Sequence, residues 1–518
     1  MSVTLHATRS SDIMVSVAER GIDVSVAITD DTGHILARGD NPIRRTGIQR
    51  IEFAARADRD YSIVLTGKEH EGAHGDVDVV AVDPDLSAPP ACLNAQRLLA
   101  RGDAAYASGQ AVTHATSDAT ELDAGKAYAD AARHYRAAAE TLTSAGPSRL
   151  LAEAQQAEAA VNYQDVQSWA EADTWATSAA RTFSVLHDGY GNARATAIEA
   201  AALLEIAVSG AQAAPPPART LTKARALLRS VADYHARRHE HYDEALALNN
   251  IGVAYYLEGR YDEAIGAYRE SVPLYEELGE RPRHAQALQN IALAEYELGR
   301  VSAATVHYGQ VLQLIQRDDN PTLYAVVLNN SALANWAGGR EDLALREYAD
   351  ALALAKTIQD AYEQAVALHG IASVYNTLGD QSRALSFYRE ALALRSSALD
   401  ARGRTASLRA IANILRQQGE AADALQMDRE ALALASAPTA KMRISVQMAR
   451  DLTDLGRTDE AQRQIDSVLA QRVAGSNVER ARALVERARH RSMTDAAGAE
   501  ADLRAAIETF RVYETPAE

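Results

Sequence analysis

A spacing of forty residues that recurs in the second half of the chain constrains the fold more than any other feature. Glycine, alanine, leucine and tyrosine each keep this step, in different registers. The four series are Gly259, Gly299, Gly339, Gly379 and Gly419; Ala264, Ala304, Ala344, Ala384 and Ala424; Leu248, Leu288, Leu328, Leu368 and Leu408; and Tyr268, Tyr308, Tyr348 and Tyr388. A fixed period of this length predicts one supersecondary unit that is repeated along the chain.

The spacing inside one copy predicts a pair of helices. Leu248 and Ile251 share a face of the first helix, and Gly259 supplies the left-handed residue that ends it. Ala264 and Tyr268 share a face of the second helix. Small residues mark the predicted contact between the two helices, namely Gly252, Ala292, Ala332, Ala372 and Ala412. Since one hairpin alone leaves apolar surface exposed, we expect the hairpins to stack on one another.

The order of residues in each copy resembles the tetratricopeptide repeat. The matching residues are Asn250-Ile251-Gly252, Ala254-Tyr255, Gly259, Tyr261-Asp262-Glu263-Ala264 and Tyr268, in a period of forty instead of about 34 residues. HEAT and armadillo repeats have a similar period but lack this register. The resemblance implies a right-handed α-solenoid with a concave groove. Asp428 replaces the tyrosine and Gly456 comes early, a drift that is typical of a capping end.

The N-terminal part of the chain has a different pattern. Apolar residues alternate with polar ones between Ile13 and Val82, and glycines interrupt the alternation at short intervals, which predicts a small antiparallel β-sandwich. The predicted domains are therefore a β-sandwich over 1–84, a linker over 85–91, an irregular tetratricopeptide-like helical region over 92–240 and the solenoid over 241–518. The predicted fold class is mainly α.

Composition limits the compartment and the partners. The formal net charge of −17 repels a phosphate backbone, so we expect no nucleic-acid partner. The single cysteine, Cys92, cannot form an internal disulfide, and the N-terminal residues show no signal-peptide pattern. We therefore expect a cytoplasmic protein without a membrane span. Motifs for phosphate loops, metal sites and cofactors are missing from the sequence, so we expect no cofactor.

A wider resemblance concerns the order of segments. Residues 18–24 and 39–42, followed by forty-residue units that close with residues 505–511, look like the N-terminal portion of bacterial CHAT-domain proteins. That resemblance implies a caspase-like peptidase as a possible partner and a His-Cys dyad as its catalytic machinery. The only candidates in this chain are His74 or His369 with Cys92, and their positions give no reason to expect a nucleophile beside a base. We therefore predict that the chain is not an enzyme.

The short acidic segment before Gly33 has two interpretations. Asp30 and Asp31 could begin a calcium loop, but the rest of an EF-hand ligand series is missing. A hairpin turn between two strands is the favoured prediction.

The candidate binding residues lie on one stripe of the first helices. In the tetratricopeptide family this stripe lines the concave groove. The stripe comprises Asn249, Val253, Tyr256, Gln289, Leu293, Tyr296, Asn329, Leu333, Trp336, His369, Ser373, Asn376, Arg409, Asn413 and Arg416, and Asn250, Asn290 and Asn330 stand beside it. The asparagines could bind a ligand or join helices, and the aromatic residues could hold apolar side chains or pack between hairpins.

The change of character along this stripe suggests a function. Amides and aromatics come first, and His369, Arg409 and Arg416 follow. We therefore expect a non-catalytic scaffold that binds an extended or helical protein segment, apolar at one end and acidic at the other. The alternative is the regulatory part of a CHAT-type protease system whose catalytic domain is absent from this chain.

Overall fold

The computed structural model of the chain describes residues 2–7, 11–20, 24–39, 48–55, 59–67, 76–82, 90–113, 118–210, 218–317, 320–395, 400–471, 473, 476–492 and 495–514. Within these ranges, seven strands precede twenty α-helices. The chain divides into two compact units. Unit 1 comprises Met1–Val208 and Pro217–Glu258, and unit 2 comprises Ser209–Pro216 and Gly259–Glu518. The finer division into four segments stays a prediction.

Unit 1 begins with two antiparallel sheets. Their strands are β1 (Ser2–Ala7), β2 (Ser11–Arg20), β3 (Val24–Thr29), β4 (Ile35–Gly39), β5 (Ile48–Ala55), β6 (Arg59–Gly67) and β7 (Asp76–Val82). One sheet has the order β1-β6-β3-β4 and the other the order β5-β2-β7. Val15 and Val17 of the smaller sheet belong to the same hydrophobic cluster as Ile28 and Ile63 of the larger one. The antiparallel arrangement is as predicted, and the sandwich packing stays a prediction.

The acidic segment before Gly33 forms the turn between β3 and β4. The Asp30 carboxylate accepts hydrogen bonds from the backbone N–H groups of Thr32 at 3.0 Å and His34 at 2.9 Å. Gly33 has a φ of +82°, which favours glycine. The strands on either side pair with each other. The predicted hairpin turn is therefore confirmed.

Seven helices complete unit 1. They are α1 (Pro90–Thr113), α2 (Asp118–Thr143), α3 (Arg149–Gln164), α4 (Trp169–Val185), α5 (Gly189–Gly210), α6 (Ala218–Ala236) and α7 (His241–Leu257). Helix α1 packs against β4 and β5, and α1 with α2, α3 with α4 and α6 with α7 form helix pairs. Glycines allow close contact between α1 and α2: a Cβ at Gly102 would lie 2.5 Å from the Tyr135 ring, and one at Gly109 would lie 2.6 Å from the Tyr128 ring.

Unit 2 consists of thirteen further helices among the residues described. They are α8 (Tyr261–Glu277), α9 (Arg281–Glu297), α10 (Val301–Leu314), α11 (Pro321–Ala337), α12 (Glu341–Thr357), α13 (Ala361–Thr377), α14 (Gln381–Leu394), α15 (Ala401–Gln417), α16 (Ala421–Leu434), α17 (Pro438–Asp454), α18 (Thr458–Ala470), α19 (Asn477–Arg491) and α20 (Ala496–Glu514). From α9 onward they form hairpins. From α9 onward, each odd-numbered helix is the first helix of its hairpin and each even-numbered helix is the second helix.

The repeated glycines end helices as predicted. Gly259, Gly299, Gly339, Gly379, Gly419 and Gly456 all have φ values between +69° and +82°. After α9, the Gly299 N–H donates to the Tyr296 carbonyl at 2.9 Å, and the Arg300 N–H donates to the Glu295 carbonyl at 2.8 Å. These two bonds satisfy carbonyls that the helix itself leaves unpaired.

The core of each hairpin forms where small residues allow close helix contact. Ala332 of α11 clusters with Ala344 and Tyr348 of α12. Ala372 of α13 clusters in the same way with residues of α14. The prediction that small residues mark the helix contact is therefore confirmed. None of the described helices combines the length and apolar composition that a membrane span requires.

Candidate interaction surface

The residues predicted to bind a ligand fall in both units. Asn249, Asn250, Val253 and Tyr256 lie on α7 of unit 1. Of these, Asn249 is buried and the other three are half-buried. The remaining predicted residues lie on α9, α11, α13 and α15, which belong to unit 2. The candidate surface considered below is the one that unit 2 builds from its own first helices.

Two aromatic side chains lie on consecutive first helices of unit 2. The Trp336 indole N–H donates to the Thr377 hydroxyl at 3.2 Å, and the ring packs against a cluster that includes Tyr348. Tyr296 also lies near Tyr348, and burial followed by the charge of Glu297 raises the pKa of Tyr296. Both side chains are half-buried. They therefore pack between hairpins and still reach the surface.

The amide series is used partly to join first helices. The Asn329 side chain is 3% exposed, and its Nδ2 donates to the Glu363 carboxylate at 2.8 Å. This bond connects α11 with α13. The neighbouring predicted residues remain half-buried, namely Gln289, Asn290, Leu293, Asn330 and Leu333. At Asn329 the helix-joining alternative is therefore the one that the contacts favour.

His369 is neutral and packs against residues of two other helices. Its Nδ1 lies 3.3 Å from the Ser407 hydroxyl, and its ring meets the Tyr388 ring edge-on at a centroid distance of 4.9 Å. Burial, aided by the charge of Arg395, lowers the pKa of His369 to about 4. The imidazole therefore contributes no positive charge at neutral pH. Ser373 bonds the Tyr388 hydroxyl at 2.9 Å, and Asn376 is exposed.

Arg416 is engaged by carboxylates of the chain itself. Its Nη2 lies 2.6 Å from Asp428 Oδ2 and 2.9 Å from Asp451 Oδ2, and its Nη1 donates to the Asn413 side chain at 2.7 Å. The side chains of Arg416, Asp428 and Asp451 are 8%, 2% and 0% exposed. The guanidinium that was expected to bind a ligand carboxylate is thus already paired, because Asp428 stands where the earlier units have tyrosine. We therefore omit Arg416 from the proposed surface.

Two positions in each hairpin, twelve residues apart, contact each other through a different type of interaction in each copy. This pairing was not predicted from the sequence. Glu295 bonds His307 at 2.7 Å, and forty residues later Asn335 donates to Glu347 at 2.7 Å. The next copy stacks Tyr375 on Phe387 with centroids 5.7 Å apart. The copy after that places Leu415 and Met427 in one hydrophobic cluster. The signal was present as paired substitutions at positions twelve residues apart.

Comparison with known proteins agrees with this architecture. The family model of the tetratricopeptide repeat matches residues 220–277, 243–317, 323–397 and 363–437. The chain carries tetratricopeptide repeats. None of the curated proteins matches the sequence.

Several solved structures are similar in fold. The apo form of RapI is 14% identical, with a TM-score of 0.50, and the match covers 70% of this chain and 98% of RapI. The apo form of the quorum sensor NprR from B. thuringiensis is 15% identical, with a TM-score of 0.44, covering 67% of this chain and 97% of NprR. A tetratricopeptide-sensor ATPase from Pyrococcus horikoshii is 11% identical, with a TM-score of 0.45, covering 68% of this chain and 55% of that protein. At these identities the likeness concerns the fold alone.

The ion pairs around Arg416 predict a pH-dependent stability of the repeats. Burial raises the pKa of Asp428 to about 7, the charge of Asp451 adds to the rise, and burial also raises the pKa of Asp451. The folded chain therefore binds this proton more tightly than the unfolded chain, and the resulting stabilisation is lost as pH rises from about 4 to about 7. Asp428→Asn should gain roughly 2 kcal/mol relative to the wild type between pH 5 and pH 8, because one pKa unit corresponds to about 1.4 kcal/mol. Urea denaturation at both pH values measures the difference, and a difference that does not change with pH would contradict the assignment.

The residues considered for a catalytic dyad have other contacts or lie outside the described residues. Cys92 packs against the hydrophobic cluster of α1, α2 and α3, and His369 bonds Ser407 as described above. His74 lies outside the described residues. Within the described ranges, no three His, Cys, Asp or Glu side chains come together closely enough to hold a metal ion.

Proposed function

We propose that the tetratricopeptide repeats of unit 2 form a non-catalytic scaffold that holds an extended or helical segment of a partner protein along the first helices. The repeat fold supports a protein-interaction scaffold in general. The observation that carries the finer proposal is the pair of half-buried aromatic rings, Tyr296 and Trp336, on consecutive first helices. Aromatic rings of this kind bind apolar side chains at a low entropic cost and dominate many protein interfaces.

The backbone of a bound segment needs polar partners as well. Gln289 and Asn330 lie on the same two helices as the aromatic rings and are half-buried. Amide side chains can donate to and accept from a peptide backbone. Asn329 is excluded from this set, since its amide already bonds Glu363. The proposed surface is therefore smaller than the one predicted from the sequence, and its apolar part lies on α9 and α11.

The aromatic pair provides the test of this proposal. A Tyr296→Ala, Trp336→Ala double variant of the full chain should retain partner proteins from a lysate of the source cell at least tenfold less than the wild type. Tyr362→Ala is the matched control, because Tyr362 lies on the first helix α13 but is 59% exposed. Quantitative mass spectrometry of the retained proteins gives the measurement, and circular dichroism checks that both variants keep their helices. Retention of the same proteins by the double variant would place the interface elsewhere.

The alternative function, a regulatory part of a CHAT-type protease system, depends on the sequence resemblance alone. Part of the short β motif that carries this resemblance, residues 21–23 and 40–42, lies outside the described residues. Within the described residues, we find no feature that favours this alternative over the general scaffold. Recovery of a caspase-like peptidase in the lysate experiment would support it.

A further inference from the structure

Positive charge is concentrated on the first helices at the C-terminal end of unit 2. Helix α15 carries four arginines and no acidic residue, and α19 carries five arginines and two glutamates. Helix α11, by contrast, has no charged residue, and the second helices α16 and α18 each carry three acidic residues and one arginine. This distribution is unusual in a chain with a net charge of −17. It places cations on the same helix type that carries Tyr296 and Trp336.

Three arginines of the first helices α15, α17 and α19 lie near one buried carboxylate. The Arg443 Nε lies 2.7 Å from Glu479 Oε1, and the Arg482 Nη1 lies 3.4 Å from Glu479 Oε2. The Glu479 side chain is 4% exposed, whereas those of Arg443 and Arg482 are 41% and 45% exposed. The third, Arg409 on α15, lies close enough to interact with these three charges and with the carboxylate of Asp428. We call Arg409, Arg443 and Arg482 the arginine patch.

Arg409 is the arginine of the patch that forms no ion pair among the described residues. Among the residues that the structure describes, none hydrogen-bonds the Arg409 guanidinium or lies within ion-pair distance of it. It is half-buried, and burial lowers the pKa of Arg409, with Arg443 as the next cause. An arginine nevertheless stays protonated in proteins. Three guanidinium groups against the two carboxylates of Glu479 and Asp428 leave one net positive charge at a partly desolvated site, which favours the binding of an anion.

We propose that the arginine patch binds the carboxylates of an acidic segment in the partner protein that the scaffold holds. The inference rests on the proposed function and adds the chemistry of one end of the ligand. The planar guanidinium groups match a carboxylate with two parallel hydrogen bonds, and the side chains of Arg443 and Arg482 are exposed enough to reach one while they interact electrostatically with Arg409. A nucleic acid fits less well, because its many phosphates would meet the acidic remainder of the chain, and the patch offers only one net positive charge.

The patch differs from the cationic end predicted from the sequence. Arg416 leaves the site because Asp428 and Asp451 neutralise it, and Arg443 and Arg482 enter it. The two new residues escaped the forty-residue register because they lie in the drifting copies. In the folded chain, neighbouring first helices bond residues 34 to 41 positions apart, with separations of 36 for Arg443 with Glu479 and 38 for His369 with Ser407.

Peptide binding to the full chain tests the proposal. A fluorescein-labelled hexaglutamate peptide serves as the probe, and the same peptide with glutamine serves as the uncharged reference. We expect the Arg409→Gln, Arg443→Gln, Arg482→Gln variant to bind hexaglutamate at least tenfold more weakly than the wild type. The matched control replaces Arg429, Arg463 and Arg504 of the second helices with glutamine, which removes the same charge, and should change the affinity less than twofold.

A single substitution tests whether weaker binding by the triple variant results from a folding defect. Glu479 would lose its two cations in that variant, whereas Arg409→Gln breaks no ion pair within the described residues. This variant should bind the peptide at least threefold more weakly, with an unchanged thermal midpoint by circular dichroism. Equal affinity of the wild type and Arg409→Gln, or equal losses in the patch and control variants, would overturn the proposal.

Two further outcomes separate this inference from the proposed function. A failure of the wild type to prefer hexaglutamate over its glutamine reference would overturn the inference, as would tighter binding of an oligothymidylate of equal charge. Lysate proteins that are lost in the Tyr296→Ala, Trp336→Ala variant but fully retained by the Arg409→Gln variant would overturn the patch while leaving the scaffold standing. Partner proteins lost in both variants, with acidic segments at their binding sites, would support both.

Discussion

Arg416→Met should destabilise unit 2 by about 3–5 kcal/mol at pH 7, which is the usual cost of removing one partner from a buried ion pair. The methionine would fill much of the space but would leave Asp428 and Asp451, 2% and 0% exposed, without their cation. Both carboxylates would then have to take up protons or draw in water. Urea denaturation followed by circular dichroism measures the loss. Hydrogen exchange should localise it to the helices that carry the three residues, α15, α16 and α17.

Two controls separate a charge effect from a packing effect. Arg429→Met, at an exposed position of α16, should change stability by less than about 0.5 kcal/mol. The triple variant Arg416→Met, Asp428→Leu, Asp451→Leu should recover most of the loss, because an apolar replacement of a whole buried ion group is often neutral or stabilising. The loss of stability caused by Arg416→Met should also be smaller at pH 5, since protonation removes the unpaired charges. A deficit that is the same at both pH values would show that packing, not charge, is lost.

Gly370→Ala should destabilise unit 2 by about 1–3 kcal/mol, although alanine is the better helix former. A Cβ at Gly370 would lie 2.3 Å from two atoms of the Tyr348 ring. That ring is 3% exposed and belongs to the packed cluster between α11, α12 and α13, so it has little room to move. The overpacking should therefore exceed the gain in helix propensity. The denaturation midpoint in urea measures the net change.

A second glycine gives the matched control with the opposite sign. Gly266 lies in α8, is exposed, and has no atom within 4 Å of the place where a Cβ would stand. Gly266→Ala should therefore stabilise the chain by about 0.5–1 kcal/mol, the propensity gain alone. A destabilising effect of the same size in both variants would argue against the tight contact at Gly370. The pair thus tests packing between helices with one and the same chemical change.

The repeat architecture could be predicted because it depends on local rules. A glycine that must be left-handed, an alanine where helices touch and a tyrosine that fills the hairpin each recur at a fixed step, so one copy predicts the others. The structure confirms this for the glycine φ values and for the clusters around Ala332 and Ala372. The CHAT resemblance is not tested by these features, and the assignment of binding residues stays a prediction.

The periodicity of the predicted stripe does not show which of its side chains find partners in another helix. Asn329 and Arg416 follow the same periodicity as residues that stay accessible, yet one bonds Glu363 and the other bonds Asp428 and Asp451. The spacing of residues places each of them on one side of its own helix. It does not show which residues of the neighbouring helix lie against them. Consecutive first helices bond at steps of 34 to 38 residues, and once at a step of 41. The forty-residue register therefore relates equivalent residues of the repeats and does not identify the residues that touch.

The sequence by itself determined the helical hairpin, its period, its capping glycines and the antiparallel strands that precede it, because these follow from backbone conformation and from the burial of apolar residues at fixed spacing. Only the tertiary structure decided which polar groups are free. Arg416 forms ion pairs inside the chain and Arg409 forms none among the described residues, although both lie on α15, seven residues apart. The physical reason is that neutralisation of a charge depends on atoms within about 4 Å, and those atoms are supplied by helices whose placement no local pattern states.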